Sequence, residues 1–251
     1  PLVAGYQSWI TEQEQKIPYL EKRFRLSAER NLEHCRQAAS RMVAAIDILC
    51  ADKTARLAFC FANKSIDMQA RWKTGNKPLT WRPFQMAFIL INIPPLVNPF
   101  HQDRDICDLL WFPTGGGKTE AYLGLTAFLL GLRRLKAPDI DTGDSTGAGV
   151  AVISRYTLRL LTIQQFRRAL GVITACEILR VWGLKDGRPA GWRPAEYPDQ
   201  DRFLWGGVRF SAGLWVGGNV TPNQLRGFGP VPDENKKFTY FTGALDALRG
   251  L

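Results

Sequence analysis

Along residues 1–73 apolar positions recur three and four apart, the spacing that lines one face of an α-helix. In SAERNLEHCRQAASRMVAAIDILC (27–50) the stripe is Leu32, Cys35, Ala39, Met42, Val43, Ile46 and Leu49, with Ser27 placed as an N-cap. A second helix is predicted from Asp52, carrying Leu57, Cys60, Phe61, Ile66 and Met68. No cluster of reactive side chains stands out here, so 1–73 reads as a helical N-terminal region that packs against the next domain. TGNKPL (74–79) then interrupts the pattern with turn residues and marks a domain boundary.

Beyond the boundary, helical and strand-like patterns alternate. WRPFQMAFILI (81–91) predicts a helix with Pro83 in its first turn. ICDLLWF (106–112) is a short apolar run bounded by polar residues and Pro113, which reads as a buried strand. KTEAYLGLTAFLLGLRRL (118–135) predicts a helix, and KAPDIDTGDSTGAG (136–149) a polar loop. GVAVIS (149–154) reads as a second buried strand, TLRLLTIQQFRRALGVITACEILRVW (157–182) as a long helix, and VRFSAGLWVG (208–217) as a third strand. Strand, helix, strand, helix, strand predicts the α/β class, with a parallel sheet covered by helices over 74–251.

Composition narrows the function classes. With 251 residues and 45% apolar content the chain can bury a full core. Its long apolar stretch AFILINIPPLV (87–97) is broken by Asn92, Pro94 and Pro95, so no membrane span is expected. No secretory leader pattern opens the chain, and a cytoplasmic location is expected. The start at Pro1 suggests a piece of something longer. Cys35, Cys50, Cys60, Cys107 and Cys176 are scattered and never in C-x-x-C, which reads as reduced thiols rather than a zinc site or disulfide framework. His34 and His101 are too isolated to suggest a metal. Lys and Arg number 33 against 23 Asp and Glu, and the resulting +10 charge favours a polyanionic partner.

Candidate chemistry concentrates in LLWFPTGGGKTEAYLG (109–124). In a phosphate-binding loop, glycines let backbone N–H groups converge on phosphate oxygens, and the next helix adds its partial positive N-terminus. Pro113, Thr114, Gly115, Gly116 and Gly117 would form the cradle. Lys118 would reach the β- and γ-phosphates of ATP, and Thr119 would ligate Mg²⁺. Phe112 stands where the strict pattern has Gly, whereas P-T-G-x-G-K-T is the form common in superfamily 2 helicases. Upstream, Arg82 and Gln85 in RPFQ (82–85) resemble the R-P-x-Q element of those helicases, whose Gln contacts adenine. Downstream, SRYTLRLLTIQQFRRA (154–169) stands where helicases grip the phosphodiester backbone, with Arg155, Thr157, Arg159 and Gln164 as candidate DNA contacts and Leu158 replacing a Thr of that pattern. Gly217 and Gly218, in LWVGGNVTPN (214–223), match a Gly–Gly turn that lets the nucleic-acid backbone approach closely. Basic side chains such as Arg167 and Arg168 read equally well as a solvated helix face.

Taken in order over 81–223, these motifs resemble the DrmA family, the helicase subunit of DISARM anti-phage defence. The resemblance implies a superfamily 2 ATP-dependent DNA helicase with a first RecA-like lobe over 74–251, ATP and Mg²⁺ as cofactors, and DNA and a partner subunit of the defence complex as partners. Hydrolysis in such enzymes needs an acidic motif at a strand end. The Asp-Glu pair present, Asp233–Glu234, follows prolines, so the acidic motif is expected outside this chain and the chain alone is expected to be inactive. Two alternatives stay open: a nucleotide-sensing nucleic-acid-binding or scaffolding module without hydrolysis, and an unrelated P-loop NTPase.

Overall fold

In a computed structural model of the chain, the described residues are 1–113, 115–137, 147, 149–156, 159–185, 187–197, 204–214, 228–232 and 238–241. The first helices are α1 (Leu2–Glu14), α2 (Lys22–Ala51) and α3 (Lys53–Thr74). Ser27 lies inside α2, which starts upstream at Lys22 behind a Glu21 that makes no side-chain cap. The α2–α3 corner is chemically closed from both sides. Asp52 Oδ1 accepts from the N–H groups of Thr54 (2.8 Å) and Ala55 (3.1 Å), filling the orphan donors of α3. Arg56 Nη1 donates to the last carbonyls of α2, at Leu49 (3.0 Å) and Cys50 (2.7 Å). Helix α3 ends on Gly75, whose φ of 68° is the left-handed C-cap conformation that the TGN turn supplies.

Helix α4 (Pro83–Val97) runs through Pro94 and Pro95. Helix α5 occupies Lys118–Leu135 and α6 Arg159–Arg180. Helix α3 packs on α5 and α6, while α2 packs on α1 and α4. Phe61, Ile66, Ile93, Phe128, Leu132, Val172, Leu179 and Trp205 belong to one core that these helices share. Gly131 permits a close approach of α5 to α3: a Cβ there would stand 3.0 Å from the Phe61 ring.

The expected α/β lobe with a parallel sheet is not what the structure contains. Its described residues are mainly helical, and their strand ladders are antiparallel hairpins: β1 (Leu184–Lys185) with β2 (Arg188–Pro189), and β3 (Phe228–Pro232) with β4 (Phe238–Phe241). The runs 106–112, 149–154 and the described part of 208–217 form no strand. A strand needs a neighbouring strand for its N–H and C=O groups and a covered face for its side chains. The first two runs have neither: Leu109, Trp111 and Ile153 are 86%, 85% and 87% exposed. The apolar surface of the helices is satisfied by other helices instead.

The chain divides into two compact units, Pro1–Ser211 and Ala212–Leu251. The first holds α1–α6 and the β1–β2 hairpin. The described part of the second includes the β3–β4 hairpin, with Phe228 opposite Phe241 and Pro232 opposite Phe238.

Candidate phosphate-binding loop

The loop between Pro113 and Lys118 is held by the start of α4. Arg82 precedes Pro83 and takes the extended conformation that a following proline favours (φ −75°, ψ 148°). One turn on, Gln85 is 4% exposed and uses both ends of its amide. Its Oε1 accepts from Arg82 N–H at 2.8 Å, and its Nε2 donates to the Gly117 carbonyl at 2.7 Å. Arg82 Nη1 donates to the Gly116 carbonyl at 2.8 Å. Two adjacent loop carbonyls are therefore fixed by a single helix start. Trp81 ties that start to α3 through its indole N–H, which donates to Asn63 Oδ1 at 2.7 Å.

With its carbonyls turned toward α4, the loop follows a path that only glycine adopts readily. Gly117 has φ 94°, and a Cβ there would lie 2.7 Å from Gln85 Nε2. Gly117 is also the N-cap of α5 and supplies no capping side chain, so the first-turn N–H groups and positive helix end remain available to an anion. Lys118, at the first position of α5, donates to the carbonyls of Phe112 and Pro113, closing the turn on itself. The Phe112 ring stacks on Phe84 at 4.0 Å with 12° between planes, adding a second tie to α4. Glu120, also in the first turn, pairs with Arg168 of α6. The pairing offsets a carboxylate that would otherwise oppose an anion at this helix end.

The structure thus places Pro113, Gly115, Gly116, Gly117, Lys118 and Thr119 in one turn and brings Arg82 and Gln85 to it. Thr114 lies outside the described residues. Among the candidate DNA contacts, Arg155 is exposed in the irregular segment ahead of α6, and Gln164 is exposed on α6. Arg159 opens α6. Thr157, Gly217 and Gly218 lie outside the described residues. The set fits a phosphate group bound with Mg²⁺: glycine-shaped backbone, open helix N–H groups, an ammonium, and the Thr119 hydroxyl within the first turn.

Sequence reading missed the tie behind the loop. Arg41 of α2 makes a bidentate pair with Asp108, 2.7 Å from each carboxylate oxygen, and its Nε lies 3.0 Å from Asp103. Hydrogen bonding to Asp108 outweighs the opposing effect of burial and, with the two carboxylate charges, pushes the Arg41 pKa up. This anchors to α2 the segment that leads into the loop. Its one visible signal is the acid-rich stretch HQDRDICD (101–108).

No protein-family model matches the chain. In an alignment of 240 positions that covers 89% of the chain, it is 40% identical to the DISARM protein DrmA of Bacillus paralicheniformis. It spans 19% of that relative.

Proposed function

Since the chain is a DrmA-like DISARM protein, we propose that it works in anti-phage defence as the nucleotide-binding part of an ATP-dependent DNA helicase or translocase. The observation that carries the reading is the glycine turn clasped by Arg82 and Gln85 ahead of the uncapped N-terminus of α5. In this reading the turn and the first N–H groups of α5 bind the β- and γ-phosphates of ATP. Lys118 exchanges the carbonyls of Phe112 and Pro113 for phosphate oxygens, and Thr119 holds Mg²⁺ through its hydroxyl. The chemistry a Mg²⁺ held by Thr119 would supply is positive charge against the negative charge of the phosphates. Arg155, Thr157, Arg159 and Gln164, with Gly217 and Gly218, are proposed to touch the DNA backbone, which carries charge but no sequence information. A partner subunit of the defence complex is part of the same proposal.

Replacing Lys118 tests the cradle. Hydrogen bonds to charged groups are worth about 1.5–3 kcal/mol, so Lys118→Ala should weaken binding of a fluorescent ATP analogue with Mg²⁺ by roughly 10- to 100-fold. Circular dichroism should be unchanged. Equal affinity in the variant would refute the reading. A second reading, nucleotide sensing without hydrolysis, draws support from the way Lys118 is already engaged by carbonyls of its own loop. In the natural-length protein, saturable ATP binding with no phosphate release in the presence of DNA would favour it.

A further inference from the structure

Arg168 of α6 stands 48 positions from Glu120 in the chain, yet the two side chains form an ion pair at the start of α5. The backbone that carries Arg168 is fixed from α3. Gln69 Nε2 donates to the Arg168 carbonyl. Gly171, in the next turn of α6, lets the two helices close, since a Cβ there would stand 2.9 Å from that same amide nitrogen. Arg167, the neighbouring cation on α6, is exposed. The packing of α6 on α3 therefore singles out Arg168 and aims it at the first turn of α5.

What Arg168 holds there matters because of where Glu120 sits. With Gly117 as N-cap and Lys118 first in the helix, Glu120 takes the third helical position. A glutamate at that position is the one that folds back onto the N-cap N–H in a capping box. At this helix the N-cap belongs to the glycine turn, so such a fold-back would cover a donor that a bound phosphate needs. The carboxylate is already near: Glu120 Oε2 lies 3.5 Å from the place a Gly117 Cβ would take. Its Oε1 is held by Arg168 instead. The same carboxylate thus has two uses, as the partner of α6 or as an internal cap that fills the anion's place and repels its charge.

We propose that Arg168 is a positioning residue for the phosphate-binding loop: by holding Glu120 it keeps the N–H groups at the start of α5 open to an anion, and it makes phosphate affinity depend on the seating of α6 against α3. The proposal rests on the ATP reading of that loop. Arg168 acts through Glu120, not by binding phosphate itself, so removing the Glu120 carboxylate should make Arg168 dispensable. A direct contact between Arg168 and phosphate would instead leave the loss in place. The size of the effect follows from the exposure of the pair. Like charges about 4 Å apart at a protein surface repel by an amount on the order of a thousandfold in affinity. Arg168 and Glu120 are 31% and 30% exposed, and solvent and salt reduce that to roughly tenfold.

The 251-residue chain would be titrated with the fluorescent ATP analogue and Mg²⁺ at low salt, with urea unfolding of each variant in parallel. Arg168→Ala should weaken binding roughly tenfold, and adding Glu120→Ala to it should return the affinity to within about twofold of the parent. Arg167→Ala removes the same charge from the adjacent exposed position and should stay within about twofold of the parent. The loss in Arg168→Ala should shrink as salt rises, and it should be smaller for the matching ADP analogue, which carries less charge. Arg168→Gln keeps the length of the side chain and gives the same test should Arg168→Ala disturb α6. A role in packing alone would lower the urea midpoint of Arg168→Ala but leave affinity untouched, or lost and not recovered by Glu120→Ala. Either result overturns the proposal. Binding that Lys118→Ala weakens and both Arg168 variants leave unaltered would keep the ATP reading and overturn the role of Arg168, whereas a parent chain that binds no analogue would overturn both.

Discussion

Gln85 and Gly117 compete for the same few cubic ångströms, and that makes their coupling measurable. Gln85→Ala removes the two hydrogen bonds to Arg82 N–H and the Gly117 carbonyl, worth about 1 kcal/mol each, so about 2 kcal/mol in all. Gly117→Ala carries a different cost. Its φ of 94° is strained for any L side chain, about 1–2 kcal/mol. Its new Cβ would also meet Gln85 Nε2 at 2.7 Å. The amide is the end of a flexible side chain and can swing away, but in doing so it gives up the same two bonds. The single substitution should therefore cost about 3–4 kcal/mol. Once Gln85 is already Ala, Gly117→Ala adds only the backbone strain, and the double variant should also cost about 3–4 kcal/mol rather than the roughly 5–6 kcal/mol of the summed singles. The expected coupling is about 2 kcal/mol, well above the ~0.5 kcal/mol scatter of independent sites. Urea unfolding of the four proteins, followed by circular dichroism at equal m-values, measures it. Additive costs would refute the reasoning, because Gln85 would then not be the group that fills the space beside Gly117.

Helices and their punctuation are legible because their causes are local. Asp52 caps α3 and Gly75 ends it, as the turn residues around each suggest. Helix α5 fills the predicted 118–135, since GGG leaves no alternative start and the apolar stripe continues to Leu135. Where the cause is tertiary, the sequence misleads. Ser27 carries a capping side chain but sits inside α2, because the helix begins at Lys22. The helix predicted over 81–91 continues to Val97, since a proline removes an N–H without requiring an end once its surroundings are packed: Asn98 N–H still reaches the Pro94 carbonyl at 3.0 Å. The strand assignments fail for a related reason. A short apolar run becomes a strand only beside another strand, and nothing in ICDLLWF or GVAVIS encodes that neighbour.

The site shows the same division. The glycines, Lys118 and Thr119 announce themselves by spacing, and RPFQ is visible as a companion motif. That Arg82 and Gln85 hold the carbonyls of Gly116 and Gly117 depends on how α4 meets the loop, which spacing does not contain. The Arg41–Asp108 pair joins residues 67 positions apart, and the acid-rich stretch 101–108 does not say which cation it meets.

Two further expectations concern neighbouring titratable groups on α6. Cys176 is buried, donates to Ser65 Oγ at 3.4 Å, and is pushed up to about 12 by burial, so in the folded chain it should resist iodoacetamide at about pH 8 while the exposed Cys50 and Cys107 react. Peptide mass spectrometry showing Cys176 labelled as fast as Cys50 would refute this. Glu177 sits opposite in sign. Burial alone would raise its pKa, but Arg180 (2.9 and 2.6 Å) and the Phe210 N–H (3.1 Å) outweigh it and hold the carboxyl below its ordinary value. A carboxyl lowered in the folded state stabilises the fold fully above its unfolded pKa, about 4.3, and loses that contribution as pH falls through the folded value. Glu177→Gln should therefore cost about 1–3 kcal/mol at pH 7, less than a wholly isolated buried pair because Arg180 also donates to the carbonyls of Gly206 and Gly207. Urea midpoints of the two proteins should begin to converge as pH falls below the unfolded value of about 4.3, where the unfolded chain takes up its proton first, and go on converging until the folded carboxyl is protonated too. Asp67, also held low, titrates in both proteins and cancels from the difference. A stability gap unchanged between about pH 7 and pH 3 would show that the charge on Glu177 contributes nothing to holding α6 against the segment at Phe210.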